Sequence, residues 1–274
     1  MADESIPKTL VVPLDGSDFA QRAVAIAAEL AGSFDAELVL MTTPLTDDEE
    51  LRDVPPRWLG EAATASGFPH VRTVLGRDDH AGVAIADLVA GLPDAAVCMS
   101  THGHGRVASA ALGSVATDVV RRVSAPVVLV GPDSVDEPNA NGWMVVSHDG
   151  SEAADAILAP ARTWARALGL LVTVVHVLHP LDVEGAQAPT TGVEHVVSYF
   201  GEGTTVRVLR SSYPAGAILD LVESVRPLLV AMATHGRTGL ARITLGSVAT
   251  DVVRSCRCPV LVTRPAALGN PDDA

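Results

Sequence analysis

A ten-residue segment that occurs twice constrains the fold of this chain most strongly. Leu-Gly-Ser-Val-Ala-Thr-Asp-Val-Val-Arg fills residues 112–121 and again residues 245–254. Two shorter landmarks recur in the same order: Thr-His-Gly at 101–103 and 234–236, and Asp-Gly-Ser at 15–17 and 149–151. Repetition of separate landmarks in one order indicates a duplicated structural unit. We call the two units copy one and copy two.

The length of the chain agrees with two domains. At 274 residues it can provide each copy with its own hydrophobic core. The segment from Pro132 to Asn141 is polar and rich in helix and strand breakers, as a linker is. We therefore expect domain 1 at residues 1–132 and domain 2 at residues 141–265.

Short apolar runs alternate with helical patterns in copy one. The runs lie at 9–14, 36–41, 71–75, 95–99 and 126–130, and the helical patterns lie at 20–31, 80–90 and 114–123. Copy two begins in the same way, with the apolar run 143–147 followed by a helical stripe. Alternation of this kind predicts an α/β fold, with five parallel strands per copy, doubly wound with helices on both faces. Residues 44–70 and 180–205 give the weakest patterns.

Charge and lysine content exclude several classes of nucleotide and nucleic-acid site. The formal net charge is -14, whereas a protein that binds a phosphate backbone needs a basic surface. Lys8 is the single lysine of the sequence, so a Walker A loop is absent. We expect no nucleic-acid partner, and any phosphate site must use backbone amides or arginine.

The cysteines and the N-terminus indicate a cytoplasmic protein. Cys98, Cys256 and Cys258 are too few and too oddly spaced for a disulfide framework. The first residues lack a basic segment followed by a long apolar run, and no stretch reaches the roughly 20 apolar residues of a membrane span. We therefore expect neither export nor membrane insertion.

Each fourth strand leads into a loop of small residues that predicts a phosphate site. Met99 opens the first loop, and Gly103 is followed after nine residues by Gly113-Ser114. Met232, Gly236 and Gly246-Ser247 repeat this spacing in copy two. A helix begins after each Gly-Ser pair, and its free amides attract an anion. The alternative is that these glycines only make turns and the serines only cap helices.

The first strand of each copy ends in Asp-Gly-Ser, which brings Asp15 and Asp149 to the same sheet edge as the small-residue loops. In a doubly wound sheet, ligands bind beyond the carboxyl ends of the strands, where the strand order reverses. The two loops are therefore expected to face one crevice. Each aspartate could instead stabilise a helix-capping turn, and the two roles are compatible.

The Asp-Gly-Ser loop and the G-x9-G-[ST] spacing in both halves resemble the universal stress protein family. The resemblance covers nearly the whole chain and implies a sheet order of 3-2-1-4-5 in each copy. The family pattern is G-x2-G-x9-G-[ST]. This sequence departs from it, because Ser100 and Ala233 replace the first glycine. Both replacements are small, so nucleotide binding stays plausible.

The resemblance implies ATP as the ligand, accompanied by Mg²⁺, and a role in nucleotide-responsive regulation or stress adaptation. The implied binding residues are Asp15, Met99, Gly103, Gly113, Ser114 and Val115 in copy one, and Asp149, Val177, Met232, Gly236, Gly246, Ser247 and Val248 in copy two. Val177 is the residue expected against adenine. Copy one offers Thr42-Thr43 where copy two has His176-Val177, so we expect tighter binding in copy two.

Other functions stay open at this stage. The sequence has no hydrolytic triad, and His102, His104 and His235 show no zinc-type spacing, which favours exposed loop histidines. No catalytic residue and no metal ligand is assigned. The alternatives are a slow ATPase or nucleotidyl-transfer enzyme, and an interaction module that has lost nucleotide binding.

The fifth strands predict how the two copies meet. Residues 125–130 and 259–263 are apolar and lie close to the sheet edge. Unpaired apolar edges favour aggregation. We therefore expect the copies to pair through these strands as an internal pseudo-dimer, with a homodimer of whole chains as a further expectation.

Overall fold

We describe the protein from a computed structural model. The described residues are 5–44, 54–103, 112–134, 142–180, 194–234 and 245–265.

Copy one alternates strands and helices as its sequence predicts. Its strands are β1 (Thr9–Pro13), β2 (Glu37–Thr42), β3 (Val71–Leu75), β4 (Ala95–Ser100) and β5 (Val127–Val130), and its helices are α1 (Asp18–Phe34), α2 (Arg57–Ala65), α3 (Ala81–Ala90) and α4 (Ser114–Arg122). Ser17 starts α1, because its hydroxyl accepts the Ala20 amide at 3.1 Å. Asp35, with φ of 52°, ends it in the left-handed conformation.

Copy two has the same element order with one local change. Its strands are β6 (Trp143–Ser147), β7 (Leu171–Leu178), β8 (Thr205–Arg210), β9 (Leu229–Ala233) and β10 (Val260–Thr263), and its helices are α5 (Leu158–Ala167), α6 (Glu194–Phe200), α7 (Pro214–Val225) and α8 (Ser247–Ser255). A 3-10 helix, Glu152–Ile157, precedes α5. Pro160 cannot donate to the carbonyl of Ala156 and crowds it, so a continuous helix like α1 is interrupted here.

The ten strands form one sheet in the order β3-β2-β1-β4-β5-β10-β9-β6-β7-β8. Within each half the order is 3-2-1-4-5 and the pairing is parallel, as expected. The halves meet where β5 runs antiparallel to β10, with Val128 opposite Leu261. Pairing of the copies through their fifth strands is thereby confirmed. The apolar edge that motivated a further homodimer is already covered within the chain.

Both faces of the sheet are covered by helices. Alternate strand residues such as Leu10 and Val11 are completely buried on opposite faces. One face packs against α1, α2, α5 and α6, and the other against α3, α4, α7 and α8. Phe34 and Trp164 extend the first layer across the two copies, with an edge-to-face contact of 4.9 Å between ring centroids.

Three details refine the sequence analysis. The weak stretches contain α2 and α6, each of which supplies few buried residues, and the second stretch ends where β8 begins, a strand with no buried residue. Helical spacing alone would place Val115 on the core stripe of α4 with Val119, but the Val115 side chain is 39% exposed and the buried face begins at Ala116. Within the described ranges, no helix has the length and apolar character needed to cross a bilayer.

Candidate functional site

A cleft of about 400 Å³ lies beyond the carboxyl ends of β1, β2 and β4 in copy one. This volume falls within the usual range of small-molecule sites, roughly 300–1,000 Å³. The residues that line it include Leu14, Asp15, Met41, Thr42, Thr43, Ala81, Ile85, Met99, Thr101, Gly103, Gly113, Ser114 and Val115. We call it the copy-one cleft. The strand order reverses at β1, so the cleft lies where open α/β sheets bind ligands.

The start of α4 forms one wall of the copy-one cleft. The Gly113 amide donates to the carbonyl oxygen of Thr101 at 2.9 Å, which fixes the loop after β4 to the first turn of the helix. Gly113 is the N-cap of α4, so the helix has no side-chain cap. Within the described residues, no side chain caps the first-turn amides of α4, and such amides suit an anion. The alternative in which Ser114 caps the helix is wrong, because Ser114 is the first helical residue.

Copy two reproduces this helix start. The Gly246 amide donates to the carbonyl oxygen of Thr234 at 2.8 Å, and Gly246 is the N-cap of α8 without a side-chain cap. Ser247 is the first helical residue. Two copies with different surroundings thus keep the same backbone arrangement at the same place.

Asp15 and Asp149 stabilise their own turns. In copy one, the Ser17 amide and hydroxyl both donate to Oδ1 of Asp15, at 3.0 and 2.7 Å. In copy two, Ser151 makes the same two bonds to Asp149, at 3.0 and 2.6 Å. The serine hydroxyl then accepts the amide of the third helical residue, Ala20 in copy one and Ala154 in copy two. The turn role of the aspartates is therefore present, and in copy one it leaves the carboxylate on the wall of the cleft.

The copy-one residues predicted from the sequence come together in space. Asp15, Met99, Gly103, Gly113, Ser114 and Val115 all line the copy-one cleft. Gly103 lies so close to Asp15 that a β-carbon at this position would overlap the carboxylate. Their roles toward a nucleotide stay predictions.

In copy two, the predicted residues occupy equivalent positions. Met232 pairs with the end of β6, and Ser247 and Val248 begin α8. Val177 lies near the end of β7 and packs against the core layer of α7 and α8. Gly236 lies outside the described residues.

The wall that α3 provides was not predicted from the sequence. Ala81 and Ile85 line the copy-one cleft opposite the start of α4. Ile85 is 1% exposed, so its spacing indicated a core residue and gave no sign of a ligand contact. The signal that could have found it is topological, because in this strand order α3 and α4 cover the same face.

The position where the family pattern has its first glycine is also defined. Ser100 is the last residue of β4, and its hydroxyl donates to the carbonyl oxygen of His102 at 2.9 Å. Ala233 ends β9 and is buried. The Ser100 hydrogen is therefore used within the loop, and only the lone pairs of the oxygen are available to a ligand.

Two comparisons of sequence agree on one family. The family model described as "Universal stress protein family" matches residues 7–131 and 143–264. A universal stress protein of Mycobacterium tuberculosis is 29% identical over 182 residues, which span 61% of this chain and 61% of that relative. A universal stress protein of Mycolicibacterium smegmatis is 26% identical over 286 residues, which cover 93% of this chain and 97% of the relative.

Solved structures share the fold. A universal stress protein from Archaeoglobus fulgidus aligns with a TM-score of 0.70 and 20% identity, over 94% of this chain and 99% of that chain. That likeness shows the tandem architecture alone. A universal stress protein in complex with cAMP covers 46% of this chain with 25% identity and a TM-score of 0.38, and the ligand is a property of that protein.

Proposed function

Because the chain belongs to the universal stress protein family through both of its halves, we propose that it binds ATP with Mg²⁺ in each copy. Binding would make it a nucleotide-responsive regulatory protein of stress adaptation. The single observation that carries the proposal is the uncapped helix start, Gly113 bonded to Thr101, in the wall of the copy-one cleft and repeated at Gly246 and Thr234.

The lining of the copy-one cleft suits the parts of a nucleotide. Met41, Ile85 and Met99 offer apolar surface to a base, whereas the start of α4 offers backbone amides to phosphates. Glycine at 103 and 113 keeps the backbone accessible, because a larger residue at either place would collide with the loop. This arrangement replaces the lysine of a Walker A loop.

Mg²⁺ would enter with the phosphates. Its preferred ligands are oxygens, commonly one or two carboxylates together with phosphate and water. Asp15 supplies a carboxylate on the cleft wall, and Oδ1 of that carboxylate already accepts two bonds from Ser17. Asp149 occupies the equivalent position in copy two.

We propose that turnover of bound ATP is at most slow. Fast phosphoryl transfer requires positioned metal ligands and a group that orients the attacking nucleophile. In the described part of the copy-one cleft, His102 and Asp15 are the side chains with the chemistry of a general base. Thr101 already bonds to Nδ1 of His102 at 2.9 Å, and Oδ1 of Asp15 already accepts two bonds from Ser17. Regulation by occupancy is therefore favoured over catalysis, and a cytoplasmic location goes with this role.

Mass spectrometry of the ligand released from the purified, undigested chain tests the proposal. We expect adenine nucleotide in up to two equivalents per chain. A chain that releases none and fails to bind added Mg·ATP would instead favour an interaction module without nucleotide, the alternative that Ser100 and Ala233 support. Steady-state hydrolysis at about 1–100 per second, the range of ordinary kinases, would favour an enzyme.

A further inference from the structure

Two cysteine thiols of copy two lie side by side between the end of α8 and the start of β10. Sγ of Cys256 and Sγ of Cys258 are 3.4 Å apart, and one thiol donates its hydrogen to the other. Both residues belong to the core layer of α7 and α8, and they are 0% and 6% exposed. Arg257 between them is exposed. The two sulfurs are therefore in contact directly beneath the surface of the protein.

The local backbone turns both thiols to the same side. The Cys256 amide donates to the Val252 carbonyl oxygen at 2.8 Å and closes α8. Cys256 itself is already extended, with φ of -75° and ψ of 134°, and Pro259 restricts Cys258 to extended backbone as well. In an extended chain, side chains two residues apart point to the same side. The contact between the sulfurs therefore follows from the short sequence Cys-Arg-Cys-Pro.

Copy one has no thiol at the equivalent positions. Alignment of the duplicated ten-residue segments places Val123 where copy two has Cys256, and Ala125 where it has Cys258. Val123 is also buried, and its amide closes α4 in the same way, by donating to the Val119 carbonyl oxygen at 2.9 Å. Apolar side chains thus satisfy the packing of this helix end. The packing alone does not require two cysteines.

The surroundings of the two thiols argue against a structural zinc ion. Such sites hold the ion with four protein ligands. Among the residues that the structure describes, no third histidine, cysteine or carboxylate comes close enough to both sulfurs to complete a metal site. Two thiols in contact, without further ligands, suit a reaction with each other.

The two thiols differ in acidity. The hydrogen bond from Cys258 lowers the pKa of the Cys256 thiol, whereas the same bond, together with burial, raises the pKa of the Cys258 thiol. Because the thiolate is the reactive form, Cys256 is the sulfur that attacks and Cys258 the one that keeps its hydrogen. Cys98 of copy one provides a reference, since burial raises the pKa of its thiol to about 12.

We propose that Cys256 and Cys258 form a site of reversible oxidation, at which a hydroperoxide converts the two thiols into a disulfide. With hydrogen peroxide, the Cys256 thiolate attacks one oxygen, the O–O bond breaks, and the departing hydroxide takes up a proton to leave as water. Cys256 then carries a sulfenic acid. The Cys258 sulfur displaces its hydroxyl, which leaves as a second water with the Cys258 proton while the S–S bond forms. The thiols lose two hydrogens and two electrons in total, and a dithiol restores them.

Oxidation at this site acts on the contact between the two copies. The Ser134 hydroxyl of copy one donates to the Cys256 carbonyl oxygen at 3.4 Å. Gly131 lies so close to the end of α8 that a β-carbon there would overlap the Val253 carbonyl oxygen. A disulfide brings its sulfurs to about 2.05 Å, so the present separation of 3.4 Å must shorten by more than about 1 Å within a close-packed region. The end of α8 must therefore shift against copy one. The inference is independent of nucleotide binding, because no nucleotide takes part.

Treatment of the reduced full chain with hydrogen peroxide, followed by alkylation and peptide mass spectrometry, tests the inference. We expect a disulfide between Cys256 and Cys258 that dithiothreitol reverses. It should form at least about tenfold faster than Cys98 is oxidised, because the rate follows the thiolate fraction. C258A should stop at a sulfenic acid on Cys256, which dimedone traps, whereas C256V should leave Cys258 reduced. Both variants preserve the packing, because they copy Ala125 and Val123 of copy one.

Hydrogen exchange of the reduced and oxidised natural chain measures the effect on the contact between the copies. The Gly131 amide donates to the Ser134 hydroxyl at 3.2 Å, so we expect it to exchange faster after oxidation. The Gly113 amide, at the other end of α4, should exchange at the same rate in both forms. Unchanged exchange at Gly131 would contradict a shift of α8.

The reaction of the natural chain decides the inference even if a variant fails to fold. Cys256 and Cys258 that are oxidised no faster than Cys98 would overturn it. Saturable binding of Zn²⁺ that protects both thiols from alkylation would also overturn it and assign a metal site instead.

Discussion

Gly103 lies directly against the carboxylate of Asp15, so closely that a β-carbon on Gly103 would overlap Oδ2. The two residues come from different strands, since Asp15 follows β1 and Gly103 follows β4. Both residues line the copy-one cleft, which lies where the strand order reverses. Glycine is needed here because its missing side chain leaves room for an acidic group, and the close approach requires no unusual backbone angle.

Replacement of Gly103 by alanine should therefore displace Asp15. We expect G103A to reduce the free energy of unfolding by about 1–3 kcal/mol, as overpacking does, and to weaken binding of Mg·ATP in copy one. The loss should shrink in a D15A background, where the colliding carboxylate is gone. A double-mutant cycle by urea unfolding measures this coupling. G60A, at an exposed helical site with nothing within 4 Å of a new β-carbon, is the control.

The glycines that cap α4 and α8 should differ in their tolerance of a side chain. A β-carbon on Gly113 would lie 2.5 Å from the Thr101 oxygen, whereas one on Gly246 would lie 3.2 Å from the Thr234 oxygen. We expect G113A to lower the urea midpoint clearly more than G246A, because the N-cap effect is common to both and only the collision differs. Equal midpoints would show that the two helix starts differ less than their contacts indicate.

The two copies should also differ in nucleotide affinity, because different residues lie where the adenine base is expected. Thr43 lines the copy-one cleft, and Val177 takes the equivalent place in copy two. The hydroxyl of threonine replaces one methyl of valine, worth roughly 1 kcal/mol when buried. In a G246V background, T43V should lower the dissociation constant of copy one by somewhat under tenfold. V177T in a G113V background should raise that of copy two. If calorimetry finds neither shift, the base does not contact Thr43 or Val177.

Acid should destabilise the ligand-free protein through His148. Burial lowers the pKa of this ring in the folded state, so the unfolded chain takes up the proton first. The neutral His148 ring makes its full contribution to the stability of the folded state above the ordinary pKa of 6.5. This contribution is lost as pH falls below 6.5 toward the pKa of the ring in the folded state. The free energy of unfolding should therefore decline more between pH 7.5 and 5.5 in the natural chain than in H148N. Equal declines in the natural chain and in H148N would show that a group other than His148 causes the acid sensitivity.

The duplicated spacing made much of this arrangement predictable. Gly113 and Gly246 follow the fourth strands at one distance, and identical distances in two copies required identical backbone turns. The sheet order was implied by the family resemblance. The pairing of β5 with β10 could be expected from the sequence, because apolar edge strands need a partner.

Other features depend on contacts that spacing does not encode. Asp155 and His195 stand 40 residues apart and meet because α6 returns to the 3-10 helix. Pro160 explains why that segment is not a regular helix. The hydrogen bond between His148 and Asp155 of that segment, however, is visible only in the folded chain. Val115 fits a helical stripe by spacing, but a first-turn side chain at a cleft mouth stays exposed.

The most direct test of the central claim is calorimetric titration of Mg·ATP into the natural chain, into the G113V and G246V variants, and into the double variant. G60V serves as the control for a β-branched residue at an unconstrained glycine. We expect two sites in the natural chain and in G60V, one in each single variant and none in the double variant. Full retention of binding by a folded G113V/G246V chain would contradict it.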